Sequence, residues 1–261
     1  MCGRYASFRE AQDLADTFEI APGAVAGDAA GLPPSWNLAP TDPVRIVVER
    51  APRRESGDAA GADHPRDAPP GGERSLRLAR WGLVPGWAKD PSVGARMINA
   101  RSESLVDKPA FRKALAVRRC LVPAEGYYEW QQPAAGTPRR TPKQPFWIHP
   151  AQDEPIAFAG LYEFWRDRSR ADDDPGRWLV TTTIVTTAAE GDLAAIHDRR
   201  PVVLPRSAWD GWLSPDQQDP KAAVDLLGRT PPALLPTAIS TAVNKVGTDG
   251  PELLVPVEET G

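Results

Sequence analysis

Sulfur is scarce in this chain of 261 residues, which has two cysteines, Cys2 and Cys120, and two methionines. Two thiols far apart in sequence give no disulfide framework, and a reducing compartment keeps both free unless catalysis or a metal claims them. No run of about 18 apolar residues is present, which excludes an ordinary membrane-spanning helix. The N-terminus lacks the basic, apolar and small-residue order of a signal peptide, so a cytoplasmic protein is expected. Net charge is slight, a formal -4 at pH 7, and gives no global sign of a nucleic-acid partner. Charge is uneven, however. From Leu76 to Trp130 there are ten Lys or Arg against five Asp or Glu, a local +5, although most such stretches are only solvated faces.

Proline, by contrast, is plentiful at 29 residues, in a composition that is 41% hydrophobic and 25% charged. Many turns in a loop-rich, mostly β domain follow from that. Short β-branched or aromatic runs bounded by Pro, Gly or Asp predict strands at 44–48, 76–82, 120–130, 146–149, 156–165, 178–187 and 201–204. Phe8, Ala11, Leu14, Ala15 and Phe18 recur at helical spacing. They follow Ser7-Phe8-Arg9-Glu10, which has the form of a capping box, so a helix is predicted from Phe8 to Glu19. Further helices are predicted at 110–117, 190–196 and 220–227. The fold class is therefore α+β, a single domain over residues 2–261 with a mainly antiparallel β core and a few peripheral helices. Segment 51–75, rich in Gly, Pro, Ala and Asp, is expected to be a disordered insertion. Segments 131–145 and 166–177 are expected to be flexible hairpin connections.

The position of Cys2 gives the first chemical lead. Methionine aminopeptidase removes Met1 when the second side chain is small, so the mature chain is expected to begin with Cys2 and to carry an α-amine beside a thiol. Their ordinary pKa values, about 8 and about 8.5, leave a useful fraction of each nucleophilic near neutrality. With an aldehyde the amine forms a Schiff base, and the thiol closes on that imine to give a five-membered thiazolidine. The plainer alternative is that Cys2 is incidental, since small residues are common at position 2.

The blocks MCGRY (1–5), WNLAPT (36–41), RWGLVPGWAKD (80–90), INARSES (98–104), RRCLVPAEGYYEW (118–130), FAGLYE (158–163) and IHDRRPVVL (196–204) run in order over most of the chain. Through them the chain resembles the SRAP family (SOS-response-associated peptidase), proteins that crosslink to abasic sites in single-stranded DNA. The resemblance implies that Cys2 is the crosslinking residue, Asn99 a polar group beside it, Glu129 an acid/base carboxylate and His197 a second proton-transfer group. It also implies phosphate contacts by Arg4, Arg101 and Arg199, and an apolar wedge of Pro40 and Trp81 against which bases stack. The chemistry fits these residue types. Losing water from a carbinolamine needs a proton donor, and a carboxyl among Tyr127, Tyr128 and Trp130 is one whose pKa burial can raise. Histidine titrates near neutrality. Plainer alternatives stand beside each role: a solvent-facing strand residue for Glu129, a buried turn residue for Asn99, core for Trp81. Cys120 reads as a buried hydrophobe, His64 as part of the insertion, and His149 as a loop residue. The sequence departs from the family pattern at Arg200, where methionine is usual, and at Glu125, where aspartate is usual.

The expected partner is thus single-stranded DNA with abasic sites, bound by a monomer without metal or cofactor, in the cytoplasm and on the nucleoid when DNA-bound. Lyase-type activity would accompany the crosslink. Two alternatives remain open at this point. One is a peptidase in which the α-amine of Cys2 serves as base and its thiol as nucleophile, although only Met1 precedes Cys2. The other is a non-covalent reader of single-stranded or modified DNA.

Overall fold

A computed structural model describes residues 2–50, 73–138 and 140–257. Most of segment 51–75, His64 and Arg139 lie outside the described residues. In chain order the elements are β1 (Tyr5–Ser7), α1 (Ala11–Thr17), α2 (Gly27–Ala30), β2 (Ser35–Leu38), β3 (Pro43–Glu49), β4 (Arg74–Trp81), β5 (Asn99–Arg101), α3 (Pro109–Val117) and β6 (Arg119–Ala124). They continue with β7 (Gly126–Gln131), β8 (Gln144–Pro150), β9 (Ile156–Arg166), β10 (Trp178–Ala188), β11 (Arg199–Pro201), α4 (Arg206–Leu213), α5 (Pro220–Leu227) and β12 (Leu234–Ala238).

Period-2 alternation builds a two-sided core around a closed ring of strands. The path β10-β4-β3-β6-β9 returns to β10 through the β9–β10 pairing. On β3, Val44, Ile46 and Val48 point into the ring, where they join Trp81, Cys120, Val122, Phe158 and Ile184. Val47 points outward with Leu76, Leu121, Ala159 and Leu161, under a layer that includes Leu14, Phe111, Leu115 and Trp212 of the helices. Strands such as β3 and β6 therefore bury both faces. Arg45, on the outward face, reaches the loops beneath α1 and α2 and donates to Ala29 O (2.9 Å), Arg9 O (3.1 Å) and Leu32 O. A second sheet, β12-β8-β7-β1-β2, is antiparallel throughout.

The α+β class and the predominance of antiparallel pairs hold, with two parallel pairings, β10 with β4 and β10 with β5, as exceptions. Several local expectations are corrected. The run 120–130 is two strands, broken at Glu125. The capping box does not form, because Ser7 is buried in β1 and the helix starts at Ala11 behind Glu10, with no side-chain cap. The predicted helix at 190–196 is a 3-10 turn, Gly191–Ala195. His149 lies in β8, stacked on Trp147 at 6.0 Å and within 3.0 Å of Thr237 Oγ1. The connection 166–177 is laced by ion pairs of Arg170 with Asp167 and Asp174 and of Asp172 with Arg166 and Arg177.

Candidate functional site

Three segments meet at Cys2. In the first, β1 pairs with β7, Tyr5 opposite Tyr127 and Ala6 opposite Gly126, and Tyr128 donates its N–H to Arg4 O at 3.0 Å. Carried onward, that register sets Gly3 beside Glu129. The close approach of β7 to β8 requires glycine at 126, where a Cβ would come within 2.5 Å of Ile148 O and 2.6 Å of the Trp147 ring. The second segment is β5, whose Asn99 pairs with Ile184 of β10 and donates from Nδ2 to Cys2 O at 2.7 Å. The third is the turn from Gly191 to His197. It is held by the Gln131 Nε2 donation to Ala195 O at 3.0 Å and by the pairing of β11 with the end of β10.

Cys2, Glu129 and His197 are each displaced from their ordinary range. Burial pushes the Cys2 thiol well up, with the charge of Glu129 acting in the same direction, so the thiol is neutral at rest. Its Sγ lies 3.9 Å from Arg4 O. Glu129 is 3% exposed. Burial raises its pKa to about 7, with Asp198 adding to the rise while the amino terminus and Lys143 oppose it. Burial also lowers the pKa of His197. His197 Nδ1 accepts the main-chain N–H of Arg199 at 3.0 Å and lies 2.8 Å from Asp198 Oδ1. Asp198 and Lys143 act on both Glu129 and His197, so the two proton-transfer candidates share one electrostatic environment. Asn99 Oδ1 is buried with no hydrogen-bond partner among the described residues.

Cys2, Asn99, Glu129 and His197 thus converge from four separate blocks of sequence. The residues expected to hold phosphate divide. Arg4 donates to Asn37 Oδ1 (2.7 Å), Val243 O (3.0 Å) and Asn244 O (3.5 Å), a set of partners that locks β1 to the C-terminal segment. Arg199 holds Glu103 through both carboxylate oxygens, at 2.6 and 3.0 Å, and Thr186 O at 2.8 Å. Arg101 is exposed. Asp198 Oδ1 lies beside His197 Nδ1 at 2.8 Å. Among the other cations of the local +5 stretch, Arg118 pairs with Glu163 at 2.7 Å, and Arg119 donates to five main-chain carbonyls that include Leu115 O and Trp212 O. Both are buried structural residues, so that stretch is not one solvated face.

The wedge needs a correction at Trp81. Its ring is fully buried, edge-on to Tyr5 at 5.2 Å, and its Nε1 donates to Ile98 O at 2.9 Å, which leaves no face open for a base. Pro40 is half-buried in the turn Ala39–Asp42, closed by Asp42 N–H to Ala39 O at 3.1 Å, with Thr41 at φ +78°. The open tryptophan of the 80–90 block is Trp87, 70% exposed, beside a hollow of about 420 Å³ that Lys113, Arg166, Arg168 and Trp178 also line. Sequence reasoning missed it, although its place directly after Pro85-Gly86 marks a turn tip. Cys120 is a buried hydrophobe as expected, its thiol raised to about 12 by burial and its Sγ 3.5 Å from Thr182 Oγ1.

The chain is similar to several known proteins. Abasic site processing protein YoqW of Bacillus subtilis is 34% identical over 255 residues, 97% of this chain and 99% of its own. Abasic site processing protein HMCES of Gallus gallus is 32% identical over 248 residues, 86% of this chain and 67% of its own. A crystal structure of a protein from Bacteroides thetaiotaomicron superposes with a TM-score of 0.73 at 21% identity, covering 98% of this chain and all of that one. A phage-related protein from Bordetella bronchiseptica does so at 0.61 and 27% identity, covering 91% and 94%. The family model described as SOS response associated peptidase matches residues 1–246, and with a fold, a set of blocks and relatives that all agree, the chain belongs to the SRAP family.

Proposed function

We propose that this chain captures abasic sites in single-stranded DNA as a covalent thiazolidine on Cys2. The observation that carries the reading is the Asn99 Nδ2 bond to Cys2 O at 2.7 Å, which fixes the main chain of the reacting residue against Glu129, a buried carboxyl that titrates at about 7. Curated relatives at 34% and 32% identity bear the name abasic site processing protein.

With Met1 removed, the Cys2 amine adds to C1′ of the ring-opened deoxyribose, forming a C–N bond and a carbinolamine. Glu129, half-protonated near neutrality, gives its proton to the departing hydroxyl, and water leaves an iminium. The resulting carboxylate then takes the thiol proton. This step is needed because the buried thiol does not ionise on its own. The sulfur closes on the iminium carbon, the C=N electron pair settles on nitrogen, and Glu129 returns to its starting state. The net reaction joins aldehyde and aminothiol with loss of one water. His197, kept neutral by burial, is the base available to the sugar hydroxyl that ring opening creates. The free acceptor Asn99 Oδ1 suits the Cys2 amine or a sugar hydroxyl.

The test is a denaturing gel of protein incubated with an oligonucleotide holding one abasic site. A band shifted without reductant, absent when the site is a tetrahydrofuran analogue that has no aldehyde, is the expected result. Absence of a covalent band with abasic DNA overturns the reading.

A further inference from the structure

We propose that Lys143 is a further substrate-binding residue of this site, its ammonium taking a phosphate of the DNA strand next to the abasic residue. This rests on the reading of the site given above and adds a residue that the sequence blocks do not reach.

A single-stranded nucleic acid is held chiefly by cationic side chains along its phosphates. Two of the arginines expected to do this are committed elsewhere, Arg4 to Asn37 and the 243–244 carbonyls, Arg199 to Glu103. A guanidinium already satisfied inside the protein must give up those bonds before it takes a phosphate. Lys143, by contrast, is exposed and makes no hydrogen bond or ion pair among the described residues.

Its place in the fold puts it at the mouth of the site. Gln131 and Gln144 are the last paired residues of β7 and β8, so Lys143 stands one position beyond the ladder. From that same end of β7, Gln131 bonds Ala195 O, in the turn that leads to His197. Glu129 is two residues back along β7. Lys143 therefore stands where the β7–β8 hairpin and the His197 turn come together, on the rim above both proton-transfer groups. Its charge bears on both, opposing the rise at Glu129 and adding to the fall at His197. The other charges facing these groups are Asp198 from the turn and the chain's amino terminus, while Arg200 of β11 acts on neighbouring Tyr127.

Two effects of a substitution follow. Lys143→Met removes one phosphate contact, so the slope of log affinity against log salt falls in magnitude by about 0.7 for single-stranded DNA. It also removes a cation that favours ionised Glu129 and neutral His197, so both titrate at higher pH and the pH profile of crosslinking moves upward. Lys143→Arg keeps the charge and restores both.

Equilibrium binding to a fluorescent single-stranded oligonucleotide carrying the tetrahydrofuran analogue is measured at several salt concentrations for the parent, Lys143→Met and Lys143→Arg. That readout does not depend on covalent chemistry. The expected result is a shallower slope for Met and a parental slope for Arg. The crosslinking pH profile is then compared on abasic DNA. An unchanged salt slope in Lys143→Met overturns the phosphate contact, even where crosslinking persists. A parent protein that binds the analogue with the expected Lys143 dependence but never crosslinks leaves Lys143 in place and removes the covalent reading instead.

Discussion

Cys2→Ser separates the two nucleophiles of residue 2. The second side chain stays small, so Met1 is still trimmed, the α-amine still adds to the aldehyde and Asn99 still holds the main-chain carbonyl. Serine's hydroxyl is far less acidic than a thiol, and the oxazolidine it forms hydrolyses readily. The variant should therefore stop at a Schiff base that borohydride traps and that nicks the strand by β-elimination, whereas the parent should give its band without reductant. A stable band from Cys2→Ser without borohydride would sink the thiazolidine. Glu129→Gln probes the proton carrier. Removing a carboxyl that titrates at about 7 should slow crosslinking by about 10²-fold or more, the usual contribution of a general acid, and flatten the rate against pH between 6 and 8. An unchanged rate and profile in single-turnover gels would assign the proton transfer to another group.

At the scale of elements, the site depends on how β1 is held. It pairs with β2 and β7 and is tied through Arg4 to the C-terminal segment. Asn37 of β2 reinforces that tie by donating to Val243, Lys245 and Thr248 carbonyls at 3.3, 3.3 and 2.8 Å. Arg4→Ala leaves Asn37 Oδ1 without its donor and takes from the Val243 carbonyl the shorter of its two, a loss of about 1–3 kcal/mol. It should lower the melting temperature by several degrees as well as slow capture. A melting temperature equal to the parent's, measured by calorimetry, would return Arg4 to a purely phosphate-binding role. How much could be read beforehand follows from the same elements. The ring strands β3, β4, β6, β9 and β10 were legible as short β-branched or aromatic stretches, even though β4 carries three arginines and β10 five threonines. α4 was not, since RSAWDGWL holds Gly, Asp and two Trp and has little intrinsic helical preference. The burial of Trp209 and Trp212 makes it a helix. β5, three residues long, has too few positions to show alternation. Cys2, Asn99, Glu129 and His197 were legible as members of ordered blocks. Trp81 and Trp87 lie six residues apart in one block, and no local pattern says which is core; only the packing of Trp81 against Tyr5 decides it.

At the scale of the whole molecule, two buried carboxyls set how stability changes with pH. Glu125 accepts the Phe8 N–H at 2.8 Å and lies 3.4 Å from Arg9 Nε, fastening the chain that leads out of β1, and the charge of Glu129 acts on Cys2. Burial raises both to about 7, from an ordinary 4.5. A carboxyl whose folded pKa is raised binds its proton more tightly in the folded chain than in the unfolded one. Stability from the pair is therefore fully present below about pH 4.5 and is lost as pH rises through about 7. His197, with its lowered pKa, works the other way near neutrality but is a single, partly exposed group. The exposed pairs of Asp167 and Asp174 matter only in stronger acid, because those carboxyls are already held below their usual range. The loss between pH 5 and pH 8 is then about 3 kcal/mol, allowing for residual screening. At about 2–4 °C per kcal/mol for a chain of this size, the melting temperature should fall by about 6–12 °C. Glu129→Gln, neutral at every pH, should remove about half of that fall. The check is thermal unfolding at constant ionic strength across pH 5, 6, 7 and 8. A melting temperature that is flat or rises over this range would show that both carboxyls are already ionised in the folded protein, and would also remove Glu129 as a proton donor at neutral pH.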